Sequence, residues 1–305
     1  MEVKRAKRQK VKAAVAYIGA SGSGKTLGML LTAYGMMREK YPDMNDQEIW
    51  EKIGVVDTEH ERATLYADMT IQGESIGQFL HVNLTAPFSA DRYQEAINVL
   101  KQEDAEVVII DSLSHAWENE GGFLDLQQKF GGNFQAWAKV KPEIQKFVKS
   151  ITANDVHILA SMRTKQDYQV EESDTGKLRI RKMGLKPIQK DDLEYEFMTV
   201  FQIDQDHYAA ATKDNSTMFE GQMEKITPDH GSKLYQWLEE GIDVKQMEEE
   251  SRQSMIHSLR EKATEDEAIE KDIQELEGKA EQSLDDMEMR LLKRVEKIIS
   301  EKQSA

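Results

Sequence analysis

Ala13-Ala14-Val15-Ala16-Tyr17-Ile18, followed by Gly19-Ala20-Ser21-Gly22-Ser23-Gly24-Lys25-Thr26 and then by Leu27-Gly28-Met29-Leu30-Leu31-Thr32-Ala33-Tyr34, decide how this chain folds. The first run is apolar, β-prone and too short for a helix; the last continues as a helical stretch from Thr26 to Glu39. Strand, glycine-rich turn and helix in that order are the context in which Gly-x-x-x-x-Gly-Lys-Thr cradles phosphate. Glycines 19, 22 and 24 let the backbone turn so tightly that several N–H groups converge on an anion, and the helix N-terminus adds its positive dipole end. Lys25 then reaches the terminal phosphates, and the Thr26 hydroxyl takes Mg²⁺. Gly19, Ala20, Ser21, Gly22, Ser23, Gly24, Lys25 and Thr26 are therefore expected to hold ATP with Mg²⁺.

Working outward, a phosphate loop needs a metal-positioning carboxylate at the end of a neighbouring buried strand. Val107-Val108-Ile109-Ile110-Asp111 supplies it, with Asp111 as the second Mg²⁺ residue beside Thr26. Hydrolysis also needs a group that orients or deprotonates water. Ile53-Gly54-Val55-Val56-Asp57-Thr58-Glu59 puts carboxylates just past another strand, and Glu59 is the better placed. Further strands are expected over His157–Met162, Met198–Ile203 and Tyr208–Thr212, separated by amphipathic segments. That alternation predicts an α/β fold with a mostly parallel central sheet flanked by helices. Ligands of such sheets lie at the carboxyl ends of the strands, where the loop, Glu59, Asp111 and the strand end at Ser161 converge.

The remaining composition narrows partners and compartment. The 305 residues contain no cysteine, which excludes a disulfide framework and thiolate metal sites and fits a reducing cytoplasm. No run approaches the roughly 18–20 apolar residues needed to cross a bilayer, so no membrane is expected. A formal net charge of −16 argues against polyanion binding by the surface as a whole, leaving only local basic patches. After Gly241 proline disappears and charge rises, while Ile269, Ile273, Leu276, Ala280, Leu284, Met287, Leu291 and Ile298 recur at steps of mostly three and four. Residues 242–305 are thus expected to be a charged, coiled-coil-like helical extension that packs on a partner helix, in a hairpin or an oligomer; residues 1–241 form the nucleotide domain.

Tyr168 to Lys186 reads as a hairpin or loop turning at Ser173-Asp174-Thr175-Gly176. In Lys177-Leu178-Arg179-Ile180-Arg181 the cations Lys177, Arg179 and Arg181 fall on one strand face, which suits a phosphate backbone or an acidic neighbour in a ring. The aromatic residues Trp117, Phe123, Phe130, Phe134 and Trp137 are expected to pack in the core.

These segments together resemble a family. Asp57-Thr58-Glu59-His60, the strand ending at Asp111, and Ile158-Leu159-Ala160-Ser161-Met162-Arg163-Thr164-Lys165 resemble, in that order, core segments of RecA-like recombinases. Asp111-Ser112-Leu113-Ser114-His115-Ala116-Trp117 and Glu194-Tyr195-Glu196-Phe197 look more narrowly like the AAA-family ATPases of phages and prophages, over roughly residues 8 to 221. The resemblance implies a RecA-like P-loop NTPase core with Glu59 as the catalytic glutamate. It places Ser161 where a polar residue senses the γ-phosphate, although RecA carries Gln there. It also implies that Lys213 reaches a neighbouring subunit's nucleotide, and hence a homo-oligomer. It further implies action on single-stranded DNA in recombination, annealing or replication, in the cytoplasm of a bacterial host. The rival readings are a nucleotide-gated assembly protein whose helical tail binds a protein partner, and a P-loop kinase.

Overall fold

The structure is a computed structural model and describes residues 5–71, 73–172 and 178–303. Its strands are β1 (Ala14–Gly19), β2 (Ile53–Asp57), β3 (Met69–Ile71), β4 (Glu74–Ile76), β5 (Leu80–Asn83), β6 (Val107–Asp111), β7 (His157–Glu172), β8 (Leu178–Pro187), β9 (Thr199–Ile203), β10 (Ala209–Asp214) and β11 (Met223–Glu224). Its α-helices are α1 (Lys25–Lys40), α2 (Asp46–Trp50), α3 (Ala90–Gln102), α4 (Ser114–Glu118), α5 (Phe123–Lys129), α6 (Trp137–Thr152), α7 (Pro228–Glu239), α8 (Val244–Glu265), α9 (Glu267–Ala280) and α10 (Met289–Gln303).

The described residues divide into two compact units, one built from 11–239 and the other from 5–10 with 240–303. In the larger unit the sheet order is β11-β10-β9-β1-β7-β6-β2-β5. The neighbours from β9 through β5 pair in parallel, while β10 and β11 add an antiparallel edge. β1 lies at the centre and is buried on both faces. Ala14, Ala16 and Ile18 enter one core, and Ala13, Val15 and Tyr17 enter the other. This double burial is why the stretch reads as an unbroken apolar run rather than an alternating one. α1, α2 and α7 cover one face, while α3, α5 and α6 cover the opposite one. α1 meets α7 very closely. A Cβ on Gly35 would lie 1.8 Å from the Pro228 carbonyl oxygen, and one on Gly231 would lie 2.0 Å from that of Thr32, so only glycine fits at either contact.

β7 outruns the sheet. Its last pairing with β1 is Gly19 with Arg163, and from Thr164 onward it pairs antiparallel with β8, forming a two-stranded ribbon. Within the expected basic face, Lys177 lies outside the described residues, and Arg179 and Arg181 sit in β8 opposite Glu171 and Gln169. The aromatic expectation needs correction. Trp117, Phe123 and Trp137 do join the core, but Phe134 is 90% exposed and Phe130 is 41% exposed. Both belong to the short connection around Gly131 and Gly132, whose positive φ values carry the chain over the surface before α6 begins.

The smaller unit differs from a single heptad seam. α8, α9 and α10 pack on one another around Ile256, Leu259, Ile269, Ile273, Leu284, Met287, Leu292, Val295 and Ile299. The buried stripe follows the expected positions as far as Met287 and then changes phase, taking Leu292, Val295 and Ile299 in place of Leu291 and Ile298. Glu281, with φ of 53°, ends α9, and a short 3₁₀ turn at Leu284–Asp286 precedes α10, so the helical phase restarts. Residues 5–10 belong to this unit through a parallel bridge between Gln9 and Ile242. Lys10 N donates to Ile242 O at 3.0 Å, and Ile242 N donates to Arg8 O at 2.9 Å. Among the described residues no helix is long and apolar enough to cross a membrane.

Candidate nucleotide site

The loop between β1 and α1 has the strain its sequence demands. Gly22 and Gly24 adopt φ of 81° and 91°, the left-handed region that favours glycine. At Gly19 the constraint is space, since a Cβ would lie 2.5 Å from Ser23 Oγ and 2.6 Å from Ile203 O. No side chain caps the start of α1, so its first N–H groups stay available to an anion. Ser23 Oγ is buried with no hydrogen-bond partner among the described residues, an unsatisfied donor inside the phosphate cradle. Lys25 is buried, and its Nζ donates to Gly19 O at 3.0 Å and Ala20 O at 2.8 Å. Burial holds this ammonium below its usual pKa, against the opposing pull of Asp111 and then Glu59.

Beside the loop, the two oxygens of Asp111 are each taken by a hydroxyl: Thr26 Oγ1 donates to Oδ2 and Ser161 Oγ to Oδ1, both at 2.5 Å. Burial pushes the Asp111 carboxyl above its usual range, and the two hydroxyls oppose the shift. Thr26 and Asp111 are hard oxygen donors on one side of the loop, the donor chemistry that suits Mg²⁺ sharing its shell with substrate phosphates. Ser161 is fully buried and spends its hydroxyl on Asp111.

Glu59 faces the loop from the end of β2. Asp57 aims it, because its Oδ1 accepts from Glu59 N at 2.6 Å and its Oδ2 accepts from Ala63 N at 2.8 Å, folding the chain back after the strand. Burial alone would raise the Asp57 pKa; His81 and these backbone donors outweigh it and hold the carboxyl below its usual range. Thr58 ties β2 to β6, accepting from Ser112 N at 2.8 Å while Thr58 N donates to Asp111 O at 2.7 Å. The Glu59 carboxylate itself is gripped by Arg163, Nε donating to Oε1 at 2.6 Å and a terminal nitrogen to Oε2.

Loop, Glu59, Asp111 and Arg163 line one cavity of about 810 Å³. Leu65, Tyr66, Met69, Ile71, Ile203 and Ile226 add apolar lining, and Arg62, His207 and Lys225 add polar groups. Cationic and apolar side chains lining one cavity suit a ligand that, like a nucleotide, has a charged part and an apolar part. A family model described as an AAA domain matches residues 11–244. The chain belongs to this AAA family. Its members are P-loop NTPases, and the mostly parallel sheet with flanking helices is the fold that membership requires. No curated protein matches the chain.

Of the residues named from the sequence, the AAA unit brings Lys25, Thr26, Glu59 and Asp111 to one cavity, with Ser161 directly behind Asp111. Lys213 is not on that cavity. It lies within β10, after the irregularity between Ala211 and Lys213, and its Nζ donates to the carbonyls of Tyr195 and Phe197. Sequence reasoning missed the apolar wall at 65–71, whose short strands carry no periodic signal. It also missed the contact of His207 Nδ1 with Ser23 O at 3.0 Å, made from a turn held by φ of 69° at His207.

Proposed function

We propose that this AAA protein hydrolyses ATP with Mg²⁺, and that it does so as a homo-oligomer acting on single-stranded DNA in phage-type recombination, annealing or replication. The observation that carries the hydrolytic part is the convergence of Lys25, the Thr26–Asp111 pair and Glu59 on one cavity. The loop amides and Lys25 bind and orient the β- and γ-phosphates, releasing Lys25 from its resting bonds to Gly19 O and Ala20 O. Thr26 and Asp111 would hold Mg²⁺, which would supply charge neutralisation for the phosphoryl oxygens. Asp111 is held in register by Ser161, and Glu59 orients the attacking water and accepts its proton. Glu59→Gln is the direct test: it should keep ATP binding within about threefold and lose phosphate release by about a hundredfold or more. Retained turnover would remove Glu59 from this role.

The nucleic-acid part rests on the alternation of Lys177, Arg179 and Arg181 in the sequence and on the ribbon that leaves the sheet beside Arg163. Lys213 is proposed as the cation offered to a neighbouring copy's nucleotide, which requires it to leave its two carbonyl partners on assembly. An oligo(dT) titration of turnover at low salt tests the reading, since phosphate contacts are strongest there. Stimulation lost on replacing Lys177, Arg179 and Arg181 together supports it, and no response at any oligonucleotide concentration contradicts it.

A further inference from the structure

The Glu59 carboxylate is occupied. Both its oxygens are taken by the Arg163 fork, and Ser112 Oγ adds a third donor to Oε1 at 3.2 Å. The pair is sheltered, with side-chain exposures of 33% for Arg163 and 13% for Glu59. A carboxylate held in a bidentate guanidinium pair is fixed in the direction of the guanidinium, and here Oε1 has both its acceptor sites filled, so an attacking water competes with bound donors for alignment. We propose that Arg163 is a latch on Glu59, a positioning residue that keeps the water-activating group disengaged in the resting chain. This rests on the reading of Glu59 given above.

The placement of Arg163 says what opens the latch. It is the residue at which β7 leaves the sheet for the ribbon. Its N donates to Ser114 Oγ at 3.0 Å, and its O accepts from Ile188 N at 2.7 Å, so its backbone is tied both to the start of α4 and to the chain leaving β8. A load on the ribbon therefore reaches the guanidinium at the last residue that β7 pairs with β1. The other titratable and charged groups facing this pair include Lys25 at the start of α1, Asp111 at the end of β6, Asp57 on β2, Glu118 on α4, and the imidazoles of His60 and of His115 on α4. His115 Nε2 lies 3.0 Å from the guanidinium; burial, and then Arg163 itself, hold the imidazole below its usual pKa, so it stays neutral and does not compete as a second cation for Glu59.

The test measures steady-state phosphate release by the full chain without any partner, for wild type, Arg163→Gln, Arg163→Lys and Glu59→Gln, with thermal melts to confirm folding. The latch predicts that Arg163→Gln raises kcat at least about fivefold with KM within about twofold, and that Arg163→Lys, which makes a single-point contact, falls between. A folded Arg163→Gln whose kcat equals or falls below wild type, while Glu59→Gln is inactive, overturns the latch alone. Turnover retained in Glu59→Gln overturns the assignment of Glu59 and the latch with it.

Discussion

Ser161→Ala removes one of the two hydroxyls on Asp111 and leaves Thr26 on the other oxygen. Burial already raises the Asp111 carboxyl, and the hydroxyls are what oppose it. A hydrogen bond to a charged group contributes about 1.5–3 kcal/mol. Losing one therefore raises the Asp111 pKa further, by less if water enters the space left by the hydroxyl. The sign then fixes the phenotype. Asp111 must be deprotonated to hold Mg²⁺, so the variant's apparent Mg²⁺ affinity falls at acidic pH and recovers as the pH rises past the new pKa. Stability follows the same linkage. A carboxyl whose folded pKa lies above its unfolded value contributes stability below the unfolded pKa and loses it as pH rises through the folded one, and Ser161→Ala moves that loss to higher pH. Phosphate release at saturating ATP, titrated with Mg²⁺ near pH 6.5 and again near pH 8.5, measures the effect. A kcat lowered equally at both pH values and at every Mg²⁺ concentration would refute this reasoning, and would give Ser161 a direct contact with the transferring phosphoryl group instead.

Two further outcomes test the scaffold around the site. Gly231→Ala forces a methyl to within 2.0 Å of Thr32 O at the α1–α7 contact and should cost about 1–3 kcal/mol, read as a lowered Tm; an unchanged Tm would mean the helices separate freely. His157 is buried, accepts from Ala13 N at 3.0 Å, and is pushed down to about 3 by burial and then by Lys12 and Lys40. Its folded pKa lies below its unfolded one, so wild-type stability should fall by about 1.4 kcal/mol per pH unit below about pH 6.5. Urea melts at pH 7.5 and 5.5 should show His157→Gln with a shallower fall than wild type, and equal slopes would contradict the assignment.

Much of the larger unit was legible because local and global signals agree there. The run at 13–18 is β-prone, its glycines are the ones the turn requires, and burial on both faces leaves no polar residue to blur the strand. Thr26 was legible from the phosphate-loop motif and Asp111 from the apolar run that it ends. Phe134 was misread because an aromatic residue carries the same apolar signal whether a glycine-bearing turn throws it outward or a helix buries it. The tail changed phase after Met287, where α10 restarts the helix, since a helical stripe cannot report a break that resets it. The Arg163–Glu59 clamp joins residues 104 positions apart, and only the parallel pairing of β6 with β2 and β7 brings them together.

The central claim is that a loop of amides and one ammonium holds a triphosphate for hydrolysis. Its most direct test is the rate at which Lys25→Ala releases inorganic phosphate from Mg·ATP, measured beside wild type with the fold verified by its melt. The account predicts measurable release by wild type and a loss of at least about a hundredfold in the variant. Equal rates from the two proteins would contradict it.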